Sequence, residues 1–473
     1  MEEIGQARST LVPALAFAVA VLGSAWAWPF AIDDAWISVR YARHLAAGAG
    51  YVWNLGGPST DGVTPLPWPF LLAPLAHGAP ATVVLRAKAL GAMSWIATAS
   101  ALGVGMGRAQ APLWTKIAAV AVLALDVPVA AHAVSGMETA LATALATAAV
   151  LSHRRPLVAS LLAGLAASLR PELVVWAITL AAGLAITCPT QAKARPFVAG
   201  AIAIGPFLSC ALVRELAFGR FAPLSLLAKP SDLRHGIAYA GAAVVFALAP
   251  LTLLCPFALA RERGPALSVV FAAIVHVLVI VAVGGYWMPY ARLMVPVVPG
   301  MLFAFVLVSG RGAVGWTAVR VAAALLTGLV LFPTNVRALR QAGHDREAMI
   351  AAAAPLLRSP GRIAAVDIGW VSAISEGPIF DLAGVTDPEV AVLGGGHTSK
   401  HVDTALLLAH DPSTVLFYSD RLPEAEESRG PGAFPRVVEA RLASSEAFMA
   451  RFAPAAVVPL GRSGAGYVIF RRR

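Results

Sequence analysis

The chain has 473 residues, of which 58% are hydrophobic and only 13% charged, with a mean hydropathy of +0.73. Soluble domains lie near ~45–50% apolar and ~25% charged, so this composition belongs to the membrane class. The net charge of +10 comes from the apolar part of the chain, where a positive-inside bias would put it. No basic tract with interleaved aromatics is present, which argues against nucleic acid as a partner.

Taken in chain order, a short polar N-terminus leads into an apolar run over 11–32. That run is too long for a signal-peptide core and reads as a retained span. Further runs at 82–105, 115–133, 137–152, 156–170, 173–188, 197–213, 236–259, 266–285, 288–309 and 314–333 bring the expected total to about eleven spans. The three between 137 and 188 are shorter than the ~20 residues a perpendicular span needs. Arg108 with Lys116, Arg154 with Arg155, Lys193 with Arg195, Arg261 with Arg263, and Arg311 then share one side, expected to be cytoplasmic. The long connections at 33–80 and 214–235, and everything after Asn335, share the other. Cys188, Cys210 and Cys255 are odd in number and widely spaced; they read as small buried residues, without a disulfide framework or a CxxC metal signature.

The expected organisation is a transmembrane domain with outer loops over 1–334 and a soluble extracytoplasmic α/β domain over 335–473. In the second part the acidic and basic residues balance. Short β segments are expected at Arg362–Ile368, Ile379–Leu382, Thr414–Tyr418 and Tyr467–Phe470, with helices near Asp345–Leu357 and Val402–His410. Gly394-Gly395-Gly396 reads as a turn, since no phosphate-cradling fingerprint follows a strand.

The first outer loop is the most informative stretch. Asp33-Asp34-Ala-Trp36-Ile37-Ser-Val-Arg40-Tyr41-Ala-Arg43-His44-Leu45 spaces Ile37, Tyr41 and Leu45 along one helical face and Trp36, Arg40 and Arg43 along another, with Gly48 as a stop. This predicts an amphipathic helix lying on the surface. The bland role for the two aspartates is helix capping, where a carboxylate suits the positive end of the dipole. The sharper role is chemical, because ionisable groups at a membrane boundary are costly and tend to mark function. One carboxylate can take a proton from a hydroxyl, and its neighbour can orient it or hold a divalent metal. Arg40 and Arg43 suit a lipid phosphate, as they also suit an ordinary interfacial helix.

The run from Asp33 through Gly48-Ala-Gly50-Tyr-Val-Trp53-Asn54 to Asp61-Gly62-Val-Thr64-Pro65 resembles the first outer loop of bacterial GT-C glycosyltransferases. It is most similar to the arabinofuranosyltransferase-like branch, whose members use polyprenyl-phosphate sugars. Ser135-Gly136-Met137-Glu138-Thr139, Leu169-Arg170-Pro171-Glu172, Phe218-Gly219-Arg220 with Lys229, and Gly284-Gly285-Tyr286-Trp287-Met288-Pro289 with Arg292 follow in the same order. Asp367-Ile-Gly369 and Asp381-Leu-Ala-Gly384-Val-Thr386-Asp387-Pro388 extend the likeness into the tail. The chain departs from the branch at Tyr286, where an acidic residue is expected, and at Leu224-Ser225, where Asn-Thr is expected.

The resemblance implies an inverting glycosyltransferase in the bacterial cytoplasmic membrane, passing a sugar such as arabinofuranose from a polyprenyl-phosphate donor to an envelope glycan or glycolipid. Asp33 and Asp34 would be the catalytic pair, with a divalent metal as a candidate cofactor on the same two residues. Arg40, Arg43, Glu138, Arg170, Lys229 and Arg292 would contact substrate or its phosphate, Arg as a bidentate grip and Lys as a point charge. Local pairing or snorkelling is the plain alternative for Glu138, Arg170 and Glu172, and Arg86 and Lys88 share that ambiguity. His44, His77 and His132 have no shared ligand spacing and read as structural. A lipid or glycolipid transporter has the same composition, but paired inverted repeats with broken helices are not evident and the acidic pair lies at the boundary, not the midplane. An envelope scaffold would leave the aspartate loop without a purpose.

Overall fold

The computed structural model describes residues 2–187, 195–229, 231–247, 264–309, 314–358, 361–421, 431–461 and 464–473. Lys193, Arg261, Arg263, Arg311, Cys188, Cys255 and the later part of the 236–259 run lie outside them. The chain divides into two compact units.

The first unit comprises Met1–Trp28, Lys88–Cys210 and Ser231–Arg340. All eleven expected apolar runs contain helix among the described residues, but their lengths differ sharply. Thr10–Ala27, Pro80–Arg108, Pro196–Phe218, Pro265–Ala282 and Val314–Leu357 are long and apolar enough to cross a membrane. Leu113–Leu125 and Val127–Ala133, bent by 62° at their junction, would together make a sixth. Thr139–Leu151, Pro156–Leu169, Pro171–Thr187, Leu233–Phe246 and Val295–Ser309 are only 10–17 residues long. Among the described residues, five helices, or six with the bent pair, thus have spanning length, against about eleven expected apolar runs. Proline and charge punctuate the short runs: Asp126 caps the second half of the bent pair by accepting from Val129 N at 3.0 Å, and Pro128 follows in its first turn. Small residues let the short helices approach closely. A Cβ on Gly164 would stand 2.5 Å from the Ala203 carbonyl oxygen, and one on Gly183 would stand 2.8 Å from Ser268, the small-residue packing of helices in lipid.

The second unit comprises Pro29–Ala87, Ala211–Pro230 and Gln341–Arg473. Residues 33–80 and 214–230 of the two long connections that the sequence groups with the membrane part thus belong to the same compact body as the tail. At its centre is a five-stranded mixed sheet in the order β2-β1-β3-β5-β4, with β1 Ile363–Ala365, β2 Ile379–Asp381, β3 Thr414–Ser419, β4 Phe452–Pro459 and β5 Gly466–Arg472. β1 runs parallel to β2 and β3, while β5 is antiparallel to β3 and β4. Phe417, Phe434, Phe448, Phe452 and Phe470 pack together beneath the central strand. Sequence pattern does not reveal β4. It is an edge strand carrying Pro454 and Pro459, with a register shift beside Pro454, and prolines are tolerated at such edges but hide the strand pattern. The strand expected over Arg362–Ile368 is shorter, because Ile368 begins a helix that runs to Ile374.

The helix Asp33–Ala46 forms with the boundaries its sequence suggests, but it does not lie on the surface. Ala35 through Ala42 and His44 are all buried. One face packs on the helix Ile368–Ile374 and another on Pro67–Leu72. The polar positions that suggest an exposed face are satisfied by protein instead of water.

Candidate functional site

The first aspartate does not cap its own helix. Ile32 occupies that N-cap without a side-chain bond, and the Asp33 carboxylate reaches the start of Ile368–Ile374, accepting from Gly369 N at 3.0 Å and Trp370 N at 2.8 Å. Arg346 donates to the same carboxylate at 3.1 Å. Asp367, the natural cap of the 368–374 helix, makes no capping bond, because its carboxylate is taken by Arg436 at 2.6 Å and by the Tyr467 hydroxyl at 2.5 Å. Asp33 substitutes for it. Gly369 makes the approach possible: a Cβ there would overlap the Asp33 carbonyl oxygen and its Oδ2.

Burial pushes the Asp33 carboxyl up to about 6, against the pull of Arg346 and the Trp370 N–H, with Asp367 and Asp34 adding to the rise. Burial also raises Asp367, but Arg436 and the Tyr467 hydrogen bond outweigh it and hold that carboxyl below its usual value. His397 stands within reach of this group: burial, Lys229 and Arg436 lower it to about 4 despite Asp34 and Asp367. Arg436 also lies over the Tyr418 ring at 4.8 Å. The result is a polar cluster with carboxylates of divergent proton affinity beside several cations.

The other first-loop residues expected to face a phosphate are engaged elsewhere. Arg40 donates to Trp53 O at 2.7 Å, Ser375 O at 2.9 Å, Gly377 O at 2.8 Å and Asn54 Oδ1 at 3.4 Å, and is only 3% exposed. These contacts commit it to fastening the aspartate helix to the tail. Arg43 pairs with Glu376 at 2.9 Å. Asp61 binds Arg214 at 2.6 Å, and Gly62 passes so close to Thr386 that a Cβ would sit 2.5 Å from its methyl group. The two family-like motifs around Asp61 and Thr386, far apart in the sequence, therefore meet in space. Where the branch has Asn-Thr, Ser225 hydrogen-bonds Thr64 at 2.6 Å.

Glu138, Arg170 and Arg292 gather in the first unit. One Glu138 oxygen accepts from Arg170 at 3.0 Å and from Arg292 at 2.7 Å. Arg170 also binds Glu172 at 2.6 Å, and Arg292 donates to Thr139 at 3.2 Å and to the Tyr286 hydroxyl at 3.0 Å. Two carboxylates and two guanidiniums meet in this network, with Glu138 fully buried. Tyr286 is a member of it. Lys88 donates to Trp28 O at 2.5 Å and lies over that ring; Arg86 binds the carbonyls of Leu75 and His77 at 2.9 and 2.6 Å.

Among the described residues, no three His, Cys, Asp or Glu side chains gather as a metal site. At Asp33 the carboxylate already accepts from two backbone N–H groups and the Arg346 guanidinium, donors with which a cation on the Asp33–Asp34 pair would compete. Sequence reasoning misses Arg346, His397, Arg436 and Tyr467. Asp367 and Gly369 are visible to it only as part of a resemblance.

A family model described as a domain of unknown function (DUF8728) matches residues 335–469. No curated protein matches the chain. The matched segment supplies Arg346, Asp367, Gly369, Trp370, His397, Arg436 and Tyr467, so most of the polar cluster is built from it.

Proposed function

We propose that this protein is an inverting membrane glycosyltransferase of the GT-C kind, transferring a sugar such as arabinofuranose from a polyprenyl-phosphate donor to an envelope glycan or glycolipid acceptor. It works in the bacterial cytoplasmic membrane with residues 335–473 on the outer side. Asp33 is the base. It takes the proton of an acceptor hydroxyl as that oxygen bonds to the anomeric carbon, while the bond from that carbon to the phosphate oxygen breaks and its electron pair leaves with the polyprenyl phosphate. Polyprenyl phosphate, a phosphate monoester, departs without strong protonation, so a base that receives its proton late suffices in an oxocarbenium-like transition state. Lys229, in the same cluster, supplies positive charge toward the departing phosphate, the larger electrostatic contribution. Asp34 assists Asp33, and no step runs through a metal.

The observation that carries this reading is the state of Asp33. It is oriented by two backbone N–H groups, and its carboxyl is lifted to about 6. That is close to the pH at which a general base works best. Transfer from a labelled polyprenyl-phosphate sugar, assayed in membranes carrying wild type or Asp33→Asn, tests it. Loss of transfer at matched expression supports the assignment, and undiminished transfer removes it.

A lipid or glycolipid transporter is the second reading, favoured by the 62° break at Asp126, since discontinuous helices serve transport sites. Vectorial uptake by purified protein in vesicles, without sugar transfer, would move that reading ahead.

A further inference from the structure

The helix Pro196–Phe218 stops at Gly219, whose N–H bonds the Glu215 carbonyl at 2.9 Å and whose φ of 67° turns the chain back. A little further on, Leu224 N donates to the Asp61 carbonyl at 3.3 Å. Phe218, Arg220 and Leu224 are thereby set beside Thr60, Asp61 and Pro388, and together they line a cavity of about 40 Å³.

The polar atoms gathered there are not matched. Asp61 is 3% exposed and gives Oδ2 to Arg214 at 2.6 Å, while its Oδ1 is buried without a hydrogen-bond partner among the described residues. The same holds for Nη1 of Arg220 and for the hydroxyl of Tyr51. The Tyr51 ring packs on Phe218 at 5.6 Å between centroids and lies within reach of the Asp61 charge. Buried polar side-chain atoms nearly always have a partner. An acceptor, a donor and a hydroxyl that lack one at a single place call for a group from outside the chain.

Size and charge select that group. Sites for whole small molecules have roughly 300–1,000 Å³, and one water needs about 10–15 Å³. A space of about 40 Å³ therefore takes a substituent and not a sugar ring. An anion would meet the unpaired oxygen of Asp61, and an ammonium group would meet the Arg220 guanidinium. A neutral hydroxyl suits all three atoms, donating to Asp61 Oδ1 and accepting from Arg220 and Tyr51. Its methylene would lie against Phe218, Leu224 and Pro388.

We infer that this cavity is a carbohydrate subsite that takes the exocyclic hydroxymethyl group of a sugar, held by Asp61, Arg220 and the Tyr51 hydroxyl. Arg214 is the positioning residue that fixes the Asp61 carboxylate. A part in selecting the sugar that is transferred rests on the transferase reading, but the binding itself does not.

The experiment is a saturation-transfer NMR titration of the full-length protein in lipid nanodiscs. The probes are methyl α- and β-arabinofuranoside, methyl glucoside and methyl galactoside, each beside its deoxy counterpart lacking the hydroxymethyl oxygen. Wild type should bind at least one parent glycoside about tenfold more tightly than the deoxy sugar, the effect of a lost hydrogen bond to a charged group. Tyr51→Phe and Arg220→Met should each weaken the parent by about tenfold and leave the deoxy sugar within about twofold. Tyr51→Phe deletes a hydroxyl that has no partner among the described residues, so its Tm should not fall, which separates lost binding from lost folding. No binding of any parent glycoside, or equal effects of the substitutions on parent and deoxy sugars, overturns the inference and leaves the cavity to water. In protein that transfers sugar, the substrate whose KM rises in Tyr51→Phe, donor or acceptor, is the source of the hydroxymethyl group, and an unmoved KM for both overturns its part in transfer. The expected binding pattern in protein that transfers no sugar from any donor upholds the subsite and sinks only the transferase reading.

Discussion

Replacing Asp33 by Asn separates a catalytic carboxylate from a structural one, because the structural consequences nearly cancel. Raising a carboxyl from 3.8 to about 6 means that holding it ionised at neutral pH costs about 3 kcal/mol, at ~1.4 kcal/mol per pH unit. The sign follows from the direction of the shift. Below about pH 4 the group is protonated in both states and there is no penalty; the penalty grows as pH rises toward 6 and is complete above it. Asn removes that penalty. In exchange its amide turns one N–H donor toward Gly369 N or Trp370 N, the loss of one buried hydrogen bond, about 1–3 kcal/mol. Arg346 is 27% exposed and can return to water, at about 0–1 kcal/mol. The net change should therefore lie within about 2 kcal/mol of zero at pH 7. Transfer should fall ~10²–10⁴-fold, the usual contribution of a positioned base. Thermal unfolding in detergent at pH 4.5 and 7.5, alongside transfer of labelled sugar, reads both quantities. A variant as stable as wild type that transfers within threefold of it would refute the assignment, leaving Asp33 as a cap for Ile368–Ile374.

Four further outcomes follow from the same contacts. The wild-type rate at low substrate should rise with pH through an apparent value near 6, since the raised Asp33 must lose its proton before acting as base; a flat profile between pH 5 and 7.5 would contradict this. Gly369→Ala drives a methyl into the Asp33 carboxylate and should cost about 1–3 kcal/mol of stability, seen as a lowered Tm with diminished transfer. Glu138→Ala removes the buried carboxylate that Arg170 and Arg292 share and should cost about 3–5 kcal/mol, with Glu138→Gln milder; thermal unfolding ranks the two. Arg40→Met leaves three carbonyls without their donor and should loosen the aspartate helix from the tail, detected as faster amide exchange at Gly369 and Trp370.

The parts of the fold legible in the sequence are those fixed by local pattern, and the illegible parts are fixed by partners distant in the chain. Helix Asp33–Ala46 and the strands β2, β3 and β5 announce themselves through periodicity and turn residues. The burial of that helix does not, because Arg40 looks like a surface residue until the carbonyls of Ser375 and Gly377, more than 300 positions away, are known. The same distance hides the site. Asp33 is visible as an acidic residue at a boundary, but its orientation depends on two backbone N–H groups, and backbone groups have no sequence signal. Arg346 sits within an ordinary helical stretch, and Arg436 and Tyr467 within a plain helix start and strand. Only glycine could betray the contact: Gly62 and Gly369 are each required by a neighbour that occupies the space of a Cβ. A single chain cannot distinguish such a glycine from a flexible one. Read together with Asp33, Asp61 and Thr386, these two positions mark where the segment over 33–65 and the tail are fitted to each other. The aspartate and the domain of unknown function are thus better regarded as one device than as a catalytic loop with an appended domain.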